Sequence, residues 1–123
     1  MGQSFKDLNA WRKAIALTLA IYKLTESFPQ SERYGLTDQL RRAAVSIASN
    51  IAEGYGRSTR GEYLQFLGYA RGSNCEVETQ LVIVAALGLG LESNHAIAEK
   101  LCADVSRLLR GLMQSLRSDP SGS

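Results

Sequence analysis

The chain has few of the residues from which reactive sites are usually built. Its 123 residues include one histidine, two cysteines and two prolines. A lone His95 leaves the many serines without a second candidate base, so an ordinary hydrolase is disfavoured. Cys75 and Cys102 show neither zinc spacing nor a C-x-x-C pattern. They read as small buried hydrophobes in a reducing compartment. Glu92 precedes His95 by three residues, but a di-iron bundle needs that pair twice and the chain offers it once. His95 therefore reads as a solvated residue at a helix start. Gly54-Tyr55-Gly56 lacks the phosphate-cradling G-x-x-x-x-G-K-[ST] pattern. No cofactor, metal or catalytic residue is expected.

Long apolar runs are missing too. The longest, Leu81 to Leu91, is too short to cross a bilayer. The opening MGQSFKDLNAWRK has no apolar signal core, and Lys6 breaks the myristoylation pattern that Gly2 would begin. A soluble, cytoplasmic protein with no membrane partner is expected. Charge of one sign is scarce as well: 14 basic against 12 acidic side chains leave a formal +2, too little by itself to prove a nucleic-acid partner. What remains is 45% apolar and 21% charged, an ordinary globular composition for one domain.

With prolines only at Pro29 and Pro120, long helices are allowed. The apolar spacing predicts four. Helix 1 spans about Leu8 to Ser27, with Asp7 and Asn9 as N-cap candidates. Its stripe of Leu8, Trp11, Ile15, Thr18 and Tyr22 is flanked by Ala14, Leu17, Ile21, Leu24 and Phe28, an unusually wide apolar face. Helix 2 spans about Leu36 to Glu53, with Leu40, Ala43, Ile47 and Ile51 on one face and Gly54 as its stop. Helix 3 spans about Thr59 to Leu87. Tyr63, Leu67, Ala70, Asn74, Val77, Leu81 and Val84 form a heptad seam, and Gly61, Gly68 and Gly72 suggest close backbone approach. Gly88 and Gly90 end it. Helix 4 spans about Ser93 or Asn94 to Leu116, with Ile97, Leu101, Val105, Leu108, Leu112 and Leu116 as its stripe. The expected fold is all-α: an antiparallel up-down-up-down four-helix bundle over residues 1–117, with a frayed polar tail over 118–123. The wide faces of helices 1 and 3 exceed what a small monomer buries, so a homo-oligomer is expected.

Some polar residues break local rules. Glu53, at the predicted end of helix 2, opposes the helix dipole unless Arg57, Arg60 or Arg71 pairs with it. Asn74 sits in the core seam, Asn50 on the inner edge of helix 2, and Arg71, Glu76, Glu78 and Thr79 interleave with the seam. These residues suit a polar network that fixes register and subunit number, or a partner-binding surface; an acid–base pair among Glu53, Glu76 and Glu78 is the weakest reading.

The positive charge is uneven. Residues 1–28 carry four basic and two acidic side chains, 29–61 five and three, 62–91 one and three, and 92–123 four of each. Arg12, Lys13, Arg41, Arg42, Arg57 and Arg60 are the candidate nucleic-acid contacts. Arginine outnumbers lysine ten to four, which suits bidentate phosphate or carboxylate contacts. In an oligomer, symmetry would repeat each patch around a rim or pore.

Two stretches carry a specific likeness: LTDQLRRAAVSIASNIAEGYGR, Leu36 to Arg57, and EYLQFLGYARGSNCEVETQL, Glu62 to Leu81. With the opening FKDLNAWRKA, and through the motifs RRAA-x-SI-x-x-NIAEG and ARGS-x-x-E-x-ET-QL, the chain closely resembles the four helix bundle protein family, also called the 23S rRNA intervening-sequence protein or S23 family, over about Phe5 to Arg117. The resemblance implies an antiparallel four-helix bundle, a ring- or barrel-shaped homopentamer and no enzymatic activity. Some members are encoded inside intervening sequences of 23S rRNA genes. A related branch, the accessory variability determinant of diversity-generating retroelements, is similar in fold and implies a reverse transcriptase and nucleic acid as partners. Arg41, Arg42, Asn50, Glu53, Gly54, Arg71, Gly72, Ser73, Glu76, Glu78 and Thr79 are the signature positions carried over. Ala48 stands where members often have proline, so helix 2 should be less kinked here. The expectation is an oligomeric accessory of RNA or of a nucleic-acid enzyme; the alternative is a structural or protein-interaction scaffold without nucleic acid.

Overall fold

Local signals start and stop the helices in a computed structural model that describes residues 4–120. Four long helices carry the fold: α1 (Asn9–Thr25), α2 (Leu36–Tyr55), α3 (Arg60–Leu87) and α4 (Glu92–Ser118), with no strand among the described residues. Residues 121–123 of the predicted tail lie outside the described residues, and α4 continues through Ser118, past the predicted end at Leu116.

Neither Asp7 nor Asn9 caps α1. Leu8 holds the cap position without a side-chain bond, while Ser4 and Asp7 form a reciprocal capping box on the short 3₁₀ turn Phe5–Asp7 that precedes it. α2 begins after a loop in which Glu32 Oε1 accepts the Leu36 N–H at 3.3 Å. α3 begins at Thr59, whose hydroxyl accepts the Glu62 N–H at 3.1 Å. Gly88, at φ 67°, closes α3 as predicted, in the left-handed conformation that glycine adopts without steric cost.

The predicted stop at Gly54 is wrong. α2 runs on to Tyr55 and ends at Gly56. Gly54 is needed inside the helix: a Cβ there would lie 2.8 Å from Phe66 Cβ and 3.1 Å from a Tyr63 ring carbon. Its hydrogen lets α2 and α3 approach. Gly61, Gly68 and Gly72 do nothing comparable within the chain, since a Cβ at any of them meets nothing within 4 Å.

α1 packs on α2 and α4, and α3 packs on the same two; among the described residues the diagonal helices bring no Cα atoms within 8 Å. Between α2 and α3, and between α1 and α2, rising numbers on one helix meet falling numbers on the other. Gly54 lies at Phe66, Ser46 at Ser73 and Gln39 at Gln80; Thr25 meets Arg41, and Thr18 meets Ala44. The core holds Leu17, Ile21 and Leu24 of α1, Leu40, Ile47 and Ile51 of α2, Leu67, Val77 and Val84 of α3, and Val105 and Leu109 of α4. Burying such side chains stabilises by roughly 1.5–3 kcal/mol each.

The seam predicted for α3 is the buried one; only Tyr63 is half-exposed. The α1 stripe is displaced: Ala14, Leu17, Ile21 and Leu24 of its predicted flank are fully buried, Phe28 is half-buried, and Tyr22 of the predicted stripe is exposed. α4 is displaced as well. Ala98, Cys102, Val105, Leu109 and Met113 face inward, and Ile97 is 55% exposed. Small Ala98 and Cys102 fit where α3 comes close, and the larger Leu101, Leu108, Leu112 and Leu116 close the edges half-buried. Large apolar side chains remain outside: Leu19 on α1, Val82, Ile83 and Leu87 on α3, and Leu91 beside Ile97.

Candidate nucleic-acid interface

The helix order separates the six basic candidates. The start of α1, the ends of α2 and α4 and the start of α3 share one end of the bundle. This turn end holds Arg57 and Arg60 from the predicted set and adds Arg110 and Arg117 from the last turns of α4; Arg12 and Lys13 lie further along, against Asp104 and Arg107 near the middle of α4. Counting charge by segment hides that addition, because residues 92–123 are neutral in sum. Arg41 and Arg42 lie elsewhere: Tyr55 is thirteen positions beyond Arg42 on α2, about 20 Å of helix rise.

Most of these cations already have partners. Arg57 donates to Glu53 Oε2 at 3.2 Å and stacks over the Phe66 ring at 4.7 Å. This identifies Glu53's partner; neither Arg60 nor Arg71 pairs with it among the described residues. Arg60 bonds the Leu116 carbonyl at 2.8 Å and the Asp119 carbonyl, capping the C-terminus of α4. This candidate nucleic-acid contact thus spends its Nη1 within its own chain. Arg12 donates from Nε to the Lys6 carbonyl at 2.9 Å and sits 3.7 Å from Asp7. Lys13, Lys100 and Arg107 converge on Asp104, whose side chain is 15% exposed, at 3.5, 3.5 and 3.3 Å. Desolvation alone would raise the Asp104 carboxyl; the Arg107 hydrogen bond and the two lysines outweigh it and hold the group below the usual carboxylate range.

Aromatic rings accompany this charge. Tyr55 and Tyr63 meet edge to face at 6.0 Å, and Phe66 and Tyr69 at 5.3 Å. Burial, and then the neighbouring Tyr55, push the Tyr63 hydroxyl above its ordinary value. Tyr69 is 49% exposed. Sequence reading missed the rings because Tyr69 falls outside the seam and Phe66 beside it; their 3-residue spacing on one turn was the available signal.

The polar network divides in three. Asn50 Nδ2 donates to the Ser46 carbonyl and Ser46 Oγ, and Ser46 meets Ser73 at 2.8 Å across α2 and α3. Asn74 is buried and satisfied within its own chain: Nδ2 donates to the Cys102 carbonyl at 3.1 Å, and the Cys102 thiol points at Oδ1 at 3.3 Å. The partner of Asn74 is α4, across the packing of α3 on that helix. Burial, then Glu78, Cys75 and Glu99, push the Cys102 thiol up to about 12. Arg71, Glu76, Glu78 and Thr79 are exposed, Thr79 bonding back to the Cys75 carbonyl and Glu76 lining a small cavity with Arg42. Cys75 is also exposed, unlike the buried thiol expected. His95 is not merely solvated: its Nε2 lies 2.8 Å from the Leu81 carbonyl, tying α4 to α3. Among the described residues, no three His, Cys, Asp or Glu side chains converge as a metal site requires, and no helix is long and apolar enough to cross a membrane.

The family model for the 23S rRNA-intervening sequence protein matches residues 6–111. The chain belongs to the 23S rRNA-intervening sequence protein family. A solved structure similar to it is a protein of unknown function from the S23 ribosomal protein family of Bacteroides thetaiotaomicron. That chain is 18% identical, with a TM-score of 0.76 over 85% of this chain and 98% of that one. At this identity the likeness establishes the shared fold. No curated protein matches. In the 23S rRNA-intervening sequence family setting, the RRAA and ARGS motifs acquire a structural meaning: Ser46 and Ser73, one from each, meet where α2 packs on α3.

Proposed function

We propose that this protein is a non-enzymatic, cytoplasmic, oligomeric bundle that accompanies RNA or a ribonucleoprotein. Its arginine-rich turn end would contact the nucleic acid. One observation carries the reading: at the end of α2, Arg57 stacks over the Phe66 ring, which meets the half-exposed Tyr69 edge to face. Guanidinium groups suit phosphates, and exposed rings suit stacked bases. The family's name points to an rRNA gene setting; a reverse transcriptase is the other partner the family likeness suggests. The opposed numbering along neighbouring helices supports an antiparallel up-down-up-down order. Leu19, Val82, Ile83, Leu87 and Ile97, left at the surface, support assembly of several copies, a pentamer by family likeness.

Filter binding of structured RNA and of duplex DNA across a salt series tests the reading, with light scattering for subunit number. Retention at low salt that falls steeply as salt rises is expected. It should weaken when Arg57 and Arg110 are changed to glutamine. No retention at low salt would favour the scaffold reading.

A further inference from the structure

Most cations with a described ion pair sit on the surface, where such pairs contribute little. Arg41 differs. It is half-buried in the cleft between α1 and α2, and no carboxylate lies within ion-pair range among the described residues. Its guanidinium is nevertheless fixed. The Tyr22 ring lies against its face, 4.4 Å from centroid to guanidinium carbon. Its Nε donates to Thr25 Oγ1 at 2.9 Å, and the buried Thr25 hydroxyl passes its own proton to the Ile21 carbonyl at 2.8 Å. One face and one edge of the fork are thus used to hold it still. The two terminal nitrogens make no described bond to the protein and remain available as a paired donor.

Arg41 lines a cleft of about 500 Å³ together with Arg42, Ser46, Asp38, Tyr22 and Val45. Arg42 is held only loosely, 3.7 Å from Asp38 with 76% of its side chain exposed, so an anion can recruit it. Ser46 Oγ accepts from Asn50, and when Ser73 donates to it as well, the Ser46 proton is free to point into the cleft.

We propose that this cleft is a binding site for one phosphate group of a phosphoester. Two guanidiniums and a hydroxyl match a tetrahedral, multiply charged oxyanion better than a planar carboxylate, which a single fork satisfies. The volume exceeds what a bare ion fills, and Tyr22 and Val45 give the ester's organic part an apolar wall. Asp38 opposes the anion and is offset by Arg42. The site is separate from the turn end and stands without the nucleic-acid reading. A terminal phosphomonoester and a backbone phosphodiester share the chemistry.

Calorimetry and the side-chain Nε–Hε signal of Arg41, in the full chain, test the proposal with four probes: inorganic phosphate, a nucleoside monophosphate, a dinucleoside joined by one phosphodiester, and a nucleoside. Saturable binding of the monophosphate or the diester, with a shift of the Arg41 signal and no response to the nucleoside, is expected. The tighter of the two phosphate esters names the source. Arg41→Lys keeps the charge but loses the fork, and should weaken binding at least about tenfold. Thr25→Val keeps the fork but removes its brace, and should weaken binding several-fold; if it fails to fold, Arg41→Lys decides. Equal affinity for nucleoside and nucleotide, full affinity in Arg41→Lys, or no saturable shift overturns the proposal. So does loss of assembly in Arg41→Ala without any phosphate response, which would assign the fork to another copy's carboxylate. No RNA retention by the unmodified chain at low salt, with phosphate binding intact, would sink the turn-end reading alone.

Discussion

The two ends of α2 hold positive charge in opposite ways. At the turn end, Arg57 lies between Glu53 and the Phe66 ring, and Arg60 is spent on the last carbonyls of α4. At Arg41, neutral groups immobilise the guanidinium and no carboxylate compensates it. A count of basic residues cannot separate these cases, because it does not show which charges the fold itself uses. The packing differs as well: α2 meets α3 through a missing side chain at Gly54, whereas the Arg41 level leaves a cleft.

The largest expected break in this comparison is Gly54→Ala. The added methyl would sit 2.8 Å from Phe66 Cβ. Overpacking of this kind costs about 1–3 kcal/mol, read as a lower urea midpoint. An unchanged midpoint would mean the α2–α3 approach is looser than described. Next comes Arg60→Ala, which releases two backbone carbonyls at the α4 terminus. It should cost about 1 kcal/mol and speed hydrogen exchange in the last turn of α4. Exchange unchanged there would return Arg60 to the free contacts.

A smaller effect of opposite sign is expected at Gly72, where a Cβ meets nothing within 4 Å. Gly72→Ala should stabilise by about 0.5–1 kcal/mol through helix propensity. A lower midpoint instead would place another copy's backbone against that face. The smallest effect is that of Asp104→Asn. The Asp104 carboxyl is held below its usual value, so its stabilising contribution is present above the unfolded value, about pH 4, and is lost as pH falls through the lower folded one. Acid unfolding of the variant should begin less steeply below about pH 4. An identical acid limb would show that the three cations around Asp104 do not act on it.

The heptad seam of α3 was legible because seven positions repeated without a break, and burial follows such a repeat. The stripe of α4 was misread because leucines dominate its pattern, while the inward positions Ala98 and Cys102 are chosen for smallness. Gly54 looked like a stop for the same reason that it works inside the helix: it lacks a side chain. Arg60 and His95 bond backbone carbonyls, which no residue pattern announces, and Arg60's partners lie 56 and 59 positions away. The basic candidates were individually visible. Their division into a turn-end group and a lone braced fork required the helix order and the Tyr22–Thr25 brace.

Nucleic-acid association through these arginines is tested most directly by the slope of log affinity for structured RNA against log salt, between about 50 and 200 mM. The account predicts a steep negative slope that becomes shallower by about one for each phosphate-contacting arginine removed at the turn end. A flat slope, or the same slope after Arg57 and Arg110 are changed to glutamine, would contradict it.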